Sequence, residues 1–158
     1  IVVTYINTHD NDWRSGTYYG DGSGGEFSPI PMLRRCGCSV AFLKDDDTLE
    51  FGAKFSLPGE TQTVPRAEML TLLFWLERAS DLAEIKYLTD NKGLYDTFNG
   101  GPRAGVRSTN CDLYDKMFSL TYDNAIPLHV AWMPSHLEES GARHPNVSLR
   151  DIRGNKLA

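Results

Sequence analysis

At 158 residues, 41% of them hydrophobic, the chain is long enough for one buried core and too short for two ordinary domains. No run of 18 or more apolar residues appears, which excludes a membrane-spanning helix, and no charged-then-apolar leader points to secretion; a soluble protein is expected. The net charge of −5 excludes a surface that grips phosphates everywhere, so a nucleic-acid role must be local.

The residues from Ile1 to Trp13 show neither a signal-peptide pattern nor a helical period. With no initiating Met, the sequence reads as an excerpt of something longer, and residues 1–16 read as an N-terminal extension or linker before a domain over 17–158. Thr17 to Asp21 is short and aromatic and runs into Gly22-Ser23-Gly24-Gly25, the pattern of a strand ending in a tight turn with Asp21 at its end. Cys36 to Leu43 is a second apolar strand, Lys44-Asp45-Asp46-Asp47 a solvated turn, and Leu49 to Ser56 a third strand, giving an antiparallel meander. Cys36, Cys38 and Cys111 are odd in number, and residues two apart on a strand are poorly placed to bridge each other. They read as ordinary buried thiols rather than zinc ligands, in an intracellular, reducing compartment with the nucleus the first expectation.

The segment from Arg66 to Glu77 is rich in helix formers, with Pro65 suited to the first turn and apolar residues nearly all round, so a deeply packed helix is expected. Glu68 is then a carboxylate in the first turn of a buried helix, costly unless its charge finds a partner. Ile85 to Thr89 is a strand closed by Asp90, followed by a short helix from Asn91 to Phe98 that Asn99-Gly100-Gly101-Pro102 breaks. Arg103 to Thr109 reads as a loop, Cys111 to Tyr122 as a helix and Leu128 to Met133 as the last strand. After a polar stretch, Ser148 with Asp151 three residues on resembles a capping box opening a final helix.

Asp21, Glu68 and Asp90 thus occupy a strand end, a helix first turn and another strand end, and can converge if the two strands are neighbours beneath the helix. Clustered carboxylates repel, and hard cations such as Mg²⁺ relieve that repulsion. Each has an ordinary explanation alone, as a helix cap or first-turn charge; the combination carries the signal.

Five segments in order resemble the successive motifs of type 1 ribonucleases H: Tyr19-Gly20-Asp21-Gly22-Ser23-Gly24, Gln62-Thr63-Val64-Pro65-Arg66-Ala67-Glu68, Leu88-Thr89-Asp90-Asn91-Lys92, Trp132-Met133-Pro134-Ser135-His136 and Gly154-Asn155-Lys156-Leu157-Ala158. The sequence between them looks most like the ribonuclease H domains of retroelement polyproteins. The resemblance implies an α/β, ribonuclease H-like fold: a central mixed five-stranded sheet, three antiparallel strands then two parallel, flanked by helices. It implies metal-dependent endonucleolytic hydrolysis of the RNA strand of RNA/DNA hybrids, leaving a 3′-hydroxyl and a 5′-phosphate. Asp21, Glu68 and Asp90 would be ligands of a two-metal Mg²⁺ or Mn²⁺ site, with the ions about 4 Å apart. His136 would assist proton transfer or product release, a task that suits an imidazole titrating near neutrality. Gly22, Ser23, Thr63, Arg66 and Asn91 would meet the hybrid, and a reverse transcriptase or other tethered domain is the expected partner.

Three departures from the family pattern weigh on this. The family's fourth carboxylate would follow Ala158, one residue past the sequence; Asp151, eight residues earlier and roughly 12 Å away along a helix, is kept as a cap. Val64 and Pro65 stand where the family often carries amides that meet 2′-hydroxyls. The stretch from Asn99 to Asn110 supplies Arg103 and Arg107 but no lysine-rich protrusion, so a tethered domain would supply affinity. The alternative is a weakly active or inactive ribonuclease H-like fold serving as a structural or protein-binding module; a DNA-directed nuclease or transposase fits the motifs less well. Trp75 and Trp132 read as core, Glu138-Glu139 as a surface loop, and His129 and His144 are set aside.

Overall fold

The computed structural model describes residues 2–7, 14–78, 85–123, 127–134 and 147–158. Among them the β-branched and aromatic runs form six strands: β1 Val3–Ile6, β2 Gly16–Ser23, β3 Gly37–Leu43, β4 Leu49–Ser56, β5 Ile85–Thr89 and β6 Leu128–Trp132. They make one sheet in the order β1-β4-β3-β2-β5-β6. The pairs β1/β4, β4/β3 and β3/β2 are antiparallel and β2/β5 and β5/β6 parallel. The expected α/β architecture is present, with six strands in place of five.

The extra strand lies in the segment read as an extension or linker. Val3 and Tyr5 pair with Phe55 and Ala53 of β4 and pack against the core. The signal was in the sequence, since Val2-Val3-Thr4-Tyr5-Ile6 is β-branched and aromatic throughout. A four-residue strand has little periodicity to read, and pairing with β4 gives it a place.

The helices are α1 Val64–Arg78, α2 Lys92–Gly100, α3 Pro102–Val106, α4 Cys111–Asp123 and α5 Leu149–Leu157. α3 occupies a stretch read as loop; Pro102 opens it with φ already set for a helix. Successive strand residues face opposite ways. Tyr18 and Tyr87 therefore join the main core under α1 and α4, while Tyr19 and Leu88 join a smaller one with Leu43, Met133, Val147 and Ile152 of the α5 side. Helix α1 is buried along nearly its whole length, including Trp75, as its near-continuous apolar character requires. Cys36 and Cys38 are buried thiols as expected, whereas Cys111 at the start of α4 is exposed. No described helix is long and apolar enough to cross a membrane.

Helix α5 is fixed at its N-terminus by the capping box. Ser148 Oγ accepts from the Asp151 amide at 3.1 Å and Asp151 Oδ2 accepts from the Ser148 amide at 3.1 Å. Asp151 also accepts from the Tyr19 hydroxyl at 2.8 Å, tying the helix to β2. Asp45 and Asp46 sit in the exposed turn, where Asp46 receives the Thr48 amide, and Asp47 adopts φ 65° and pairs with Arg150.

Candidate metal centre

The site follows from strand register. In the parallel pair β2/β5, Tyr19 lies opposite Leu88. Two residues further along each strand stand Asp21 and Asp90, so the aligned ends present both carboxylates together. Asp21 lies within β2, which runs on to Ser23, while Asp90 directly follows β5.

Glu68 comes from above. Helix α1 begins at Val64, two residues earlier than the composition placed it, so Glu68 lies beyond the first turn. The Thr63 hydroxyl accepts from the Arg66 amide at 3.3 Å at this helix start. Close approach of α1 to β2 requires Gly22: a Cβ there would meet the Glu68 amide nitrogen at 2.9 Å, Ala67 Cβ at 3.0 Å and Glu68 Cγ at 3.1 Å. The result is a trio in which Asp21, Glu68 and Asp90 each offer an oxygen within 4.8 Å of the others.

Its electrostatics are unfavourable for free anions. Glu68 is only 2% exposed. Burial first, then the negative charge of Asp21, pushes its carboxyl up to about 9; Asp90 adds to this and a hydrogen bond from the Gly22 backbone opposes it. Glu68 Oε2 is buried with no hydrogen-bond partner. Behind the trio the Tyr87 hydroxyl is also buried and unpartnered, held well above its ordinary pKa by burial and by the neighbouring carboxylates. An orphaned buried carboxylate oxygen beside two more carboxylates is the donor set that hard, oxygen-ligated cations take. The residues present therefore fit Mg²⁺ or Mn²⁺.

Asn155 of α5 donates from Nδ2 to Asp90 Oδ2 at 3.3 Å, and Trp132 Nε1 donates to the Asp90 carbonyl at 3.3 Å. Asn155 entered the sequence reading only as a motif landmark; its contact depends on α5 crossing the sheet, which no local pattern reveals. Trp132, read as core, is half-buried at this edge, with Lys92 Nζ 5.8 Å from its ring centre.

The other residues expected to act here are dispersed in role. Gly22 and Ser23 line a cavity with Asp21. Asn91 caps α2, its side chain accepting from the Leu94 amide at 3.0 Å. Arg66 turns away from the trio to α4, where it meets both Asp112 oxygens at 3.1 and 2.8 Å and Asn110 at 3.3 Å. Asp151, with its cap and Tyr19 bonds, is a structural carboxylate. His136 lies outside the described residues, as do Glu138, Glu139 and His144.

No family model matches the chain, and no curated protein matches it. Solved structures do. The ribonuclease H domain of prototype foamy virus superposes with a TM-score of 0.64 at 15% identity, over 92% of this chain and 90% of that one. The protease-reverse transcriptase of the same virus matches with a TM-score of 0.66 at 16% identity, over 96% of this chain and 20% of that one. The N-terminal ribonuclease H domain of a Mycobacterium tuberculosis protein matches at 0.55 and 21% identity, over 77% and 84% of the two chains. A ribonuclease H1 isolated from compost by a metagenomic approach matches at 0.59 and 16% identity, over 89% and 90%. The chain thus has a ribonuclease H-like fold, with Asp21 and Asp90 toward the ends of the central strands β2 and β5 and Glu68 on α1 beside them.

Proposed function

We propose that this domain is a metal-dependent endonuclease that hydrolyses the RNA strand of RNA/DNA hybrids. The observation that carries the reading is the convergence of Asp21, Glu68 and Asp90 to within 4.8 Å on a ribonuclease H-like fold. Like charges placed together, one of them buried, give a scaffold nothing. Asp21, Glu68 and Asp90 would hold Mg²⁺ or Mn²⁺ in a two-metal arrangement. When bound, such ions supply activation of water and stabilisation of the leaving oxygen in phosphodiester cleavage. The chain's own part is positional: Asn155 fixes the Asp90 carboxylate, Gly22 lets Glu68 reach Asp21, and Glu68 gives up its proton when a cation is taken. His136 would assist proton transfer or product release, and Gly22, Ser23 and Thr63 would meet the substrate backbone.

The foamy virus likeness supports an origin in a retroelement polyprotein, with a reverse transcriptase as tethered partner. One set of observations favours the alternative, a structural or protein-binding module: Arg66 is held by Asp112 and Asn91 by its own helix, which leaves fewer side chains for a hybrid.

Cleavage of an end-labelled RNA/DNA hybrid in Mg²⁺ or Mn²⁺ separates the two. The enzyme reading expects internal cuts in the RNA strand and at least a hundredfold loss in Asp21→Asn. Wild type no more active than Asp21→Asn sinks it and leaves the module.

A further inference from the structure

The face of the sheet that carries Asp21 continues past the metal centre toward the β1 edge. Asp21 pairs with Ser39 of β3, Ser39 with Lys54 of β4, and Lys54 with Thr4 of β1. Residues directly opposite across paired strands project to the same face. These four side chains therefore form one row perpendicular to the strands. A parallel row follows, in which Ser23 lies opposite Gly37 and Gly37 opposite Ser56.

The two rows border a cavity of about 520 Å³ lined by Asp21, Gly22, Ser23, Ser39, Lys54, Ser56 and Thr4 among others, with Ala158 of the α5 end at its margin. Its chemistry is unlike that of the trio beside it. Among the described residues, the hydroxyls of Thr4, Ser23, Ser39 and Ser56 and the ammonium of Lys54 line it together with the Asp21 carboxylate. Lys54 is exposed and has no carboxylate partner among the described residues. In a chain of net charge −5, an unpaired cation in a hydroxyl-lined basin that opens onto a metal centre is set up for an anion that also reaches that centre.

We infer that the basin around Lys54, Ser39 and Thr4 is a phosphate-binding track for the strand being cut, holding the backbone to one side of the scissile bond. This rests on the proposed nuclease reading and names a substrate contact for it. Lys54 stands two strands from Asp21, about 10 Å at the usual strand spacing. At about 3.4 Å of rise per nucleotide along one strand, that distance reaches phosphates within some three nucleotides of the cleaved one. Lys54 acts as a positioning residue: it anchors the backbone and takes no part in bond cleavage.

The test uses the full chain with an end-labelled RNA/DNA hybrid in Mg²⁺, comparing wild type with Lys54→Ala, Lys54→Glu and Lys54→Arg, all at an exposed position. Lys54→Ala is expected to raise KM about three- to tenfold and Lys54→Glu more. The salt dependence should become shallower by about one phosphate contact. The single-turnover rate at saturating hybrid stays within about twofold, and Lys54→Arg restores KM. A series of hybrids carrying one uncharged methylphosphonate linkage should contain a position, within three nucleotides of the cut, that weakens wild type and leaves Lys54→Ala unaffected. Wild-type cleavage with unchanged KM and salt dependence in Lys54→Ala overturns the track alone. So does a change in Mn²⁺ affinity without a change in KM, which would make Lys54 a counter-charge to the trio. A wild-type chain that neither binds nor cuts the hybrid overturns the nuclease reading and this one with it.

Discussion

Glu68 shows how burial and a neighbouring charge together set the protonation of a single side chain. Its carboxyl titrates near 9 in the folded chain because burial and Asp21 disfavour the anion, against about 4.3 for a free glutamate. Between those values the folded state holds a proton that the unfolded state has released, so stability falls as pH rises across that window. In chelator, wild type and Glu68→Gln should be nearly equally stable near pH 5, with wild type falling progressively behind toward pH 8. The difference between their urea midpoints reads this directly. Adding Mn²⁺ at pH 8 should raise the wild-type midpoint and leave Glu68→Gln nearly unmoved, because a ligand bound only by the native state stabilises it by mass action. Equal pH profiles for the two proteins would contradict the placement of Glu68.

At the scale of elements, the site depends on how α1 and α5 dock on opposite faces of β2. Helix α1 sits close because Gly22 leaves room for Ala67 and Glu68, while Gly20 makes space for the Tyr87 side chain of β5, whose hydroxyl would stand 1.5 Å from a Cβ there. Helix α5 sits close because Gly154 lies over the Tyr19 ring, where a Cβ would come within 2.4 Å. Asp151 then closes the arrangement with its cap and its bond to Tyr19. Replacing Asp151 by Ala removes a helix cap and leaves a buried hydroxyl unpaired, an expected loss of about 2–4 kcal/mol in chemical denaturation. Metal affinity of the folded fraction should be unchanged, which separates a structural carboxylate from a ligand. A large loss of Mn²⁺ affinity at unaltered stability would assign Asp151 to the metal centre instead.

The whole molecule is acidic, and the cations described near the trio are few, with Lys54 on one side and Lys92 beside Trp132 on the other. Hybrid binding by the isolated domain should accordingly be weak, with a log–log salt slope of about −2, as two phosphate contacts give. Fusing a basic duplex-binding domain through a flexible linker should lower KM by about a hundredfold through effective concentration and leave the saturating rate unchanged. Steady-state kinetics of the fused and unfused chains check this; a change confined to kcat would mean that the added domain alters the site itself. The foamy virus protease-reverse transcriptase, of which the matched region is 20% of the chain, is a likeness in which such a fold sits inside a longer polypeptide.

What the sequence by itself determined is the part encoded locally. Alternating apolar runs gave β2 to β6 nearly residue for residue, Pro65 and helix formers gave α1, and Ser148 with Asp151 gave the start of α5. Three carboxylates at two strand ends and near a helix start pointed to the acidic trio, because elements that meet at one edge of a sheet bring such positions together. What only the tertiary structure decided depends on partners distant in sequence. Val3–Ile6 has strand composition but too few residues to show a period, and pairing along the edge of β4 is what makes it a strand. Arg66, read as a substrate contact, is turned away by Asp112, which comes near only when α4 packs beside α1. Asn155 reaches Asp90, and Lys54 shares a row with Asp21, because register and crossover fix which residues face one another. Local free energy chooses the elements; long-range packing chooses their neighbours, and this site is made of neighbours.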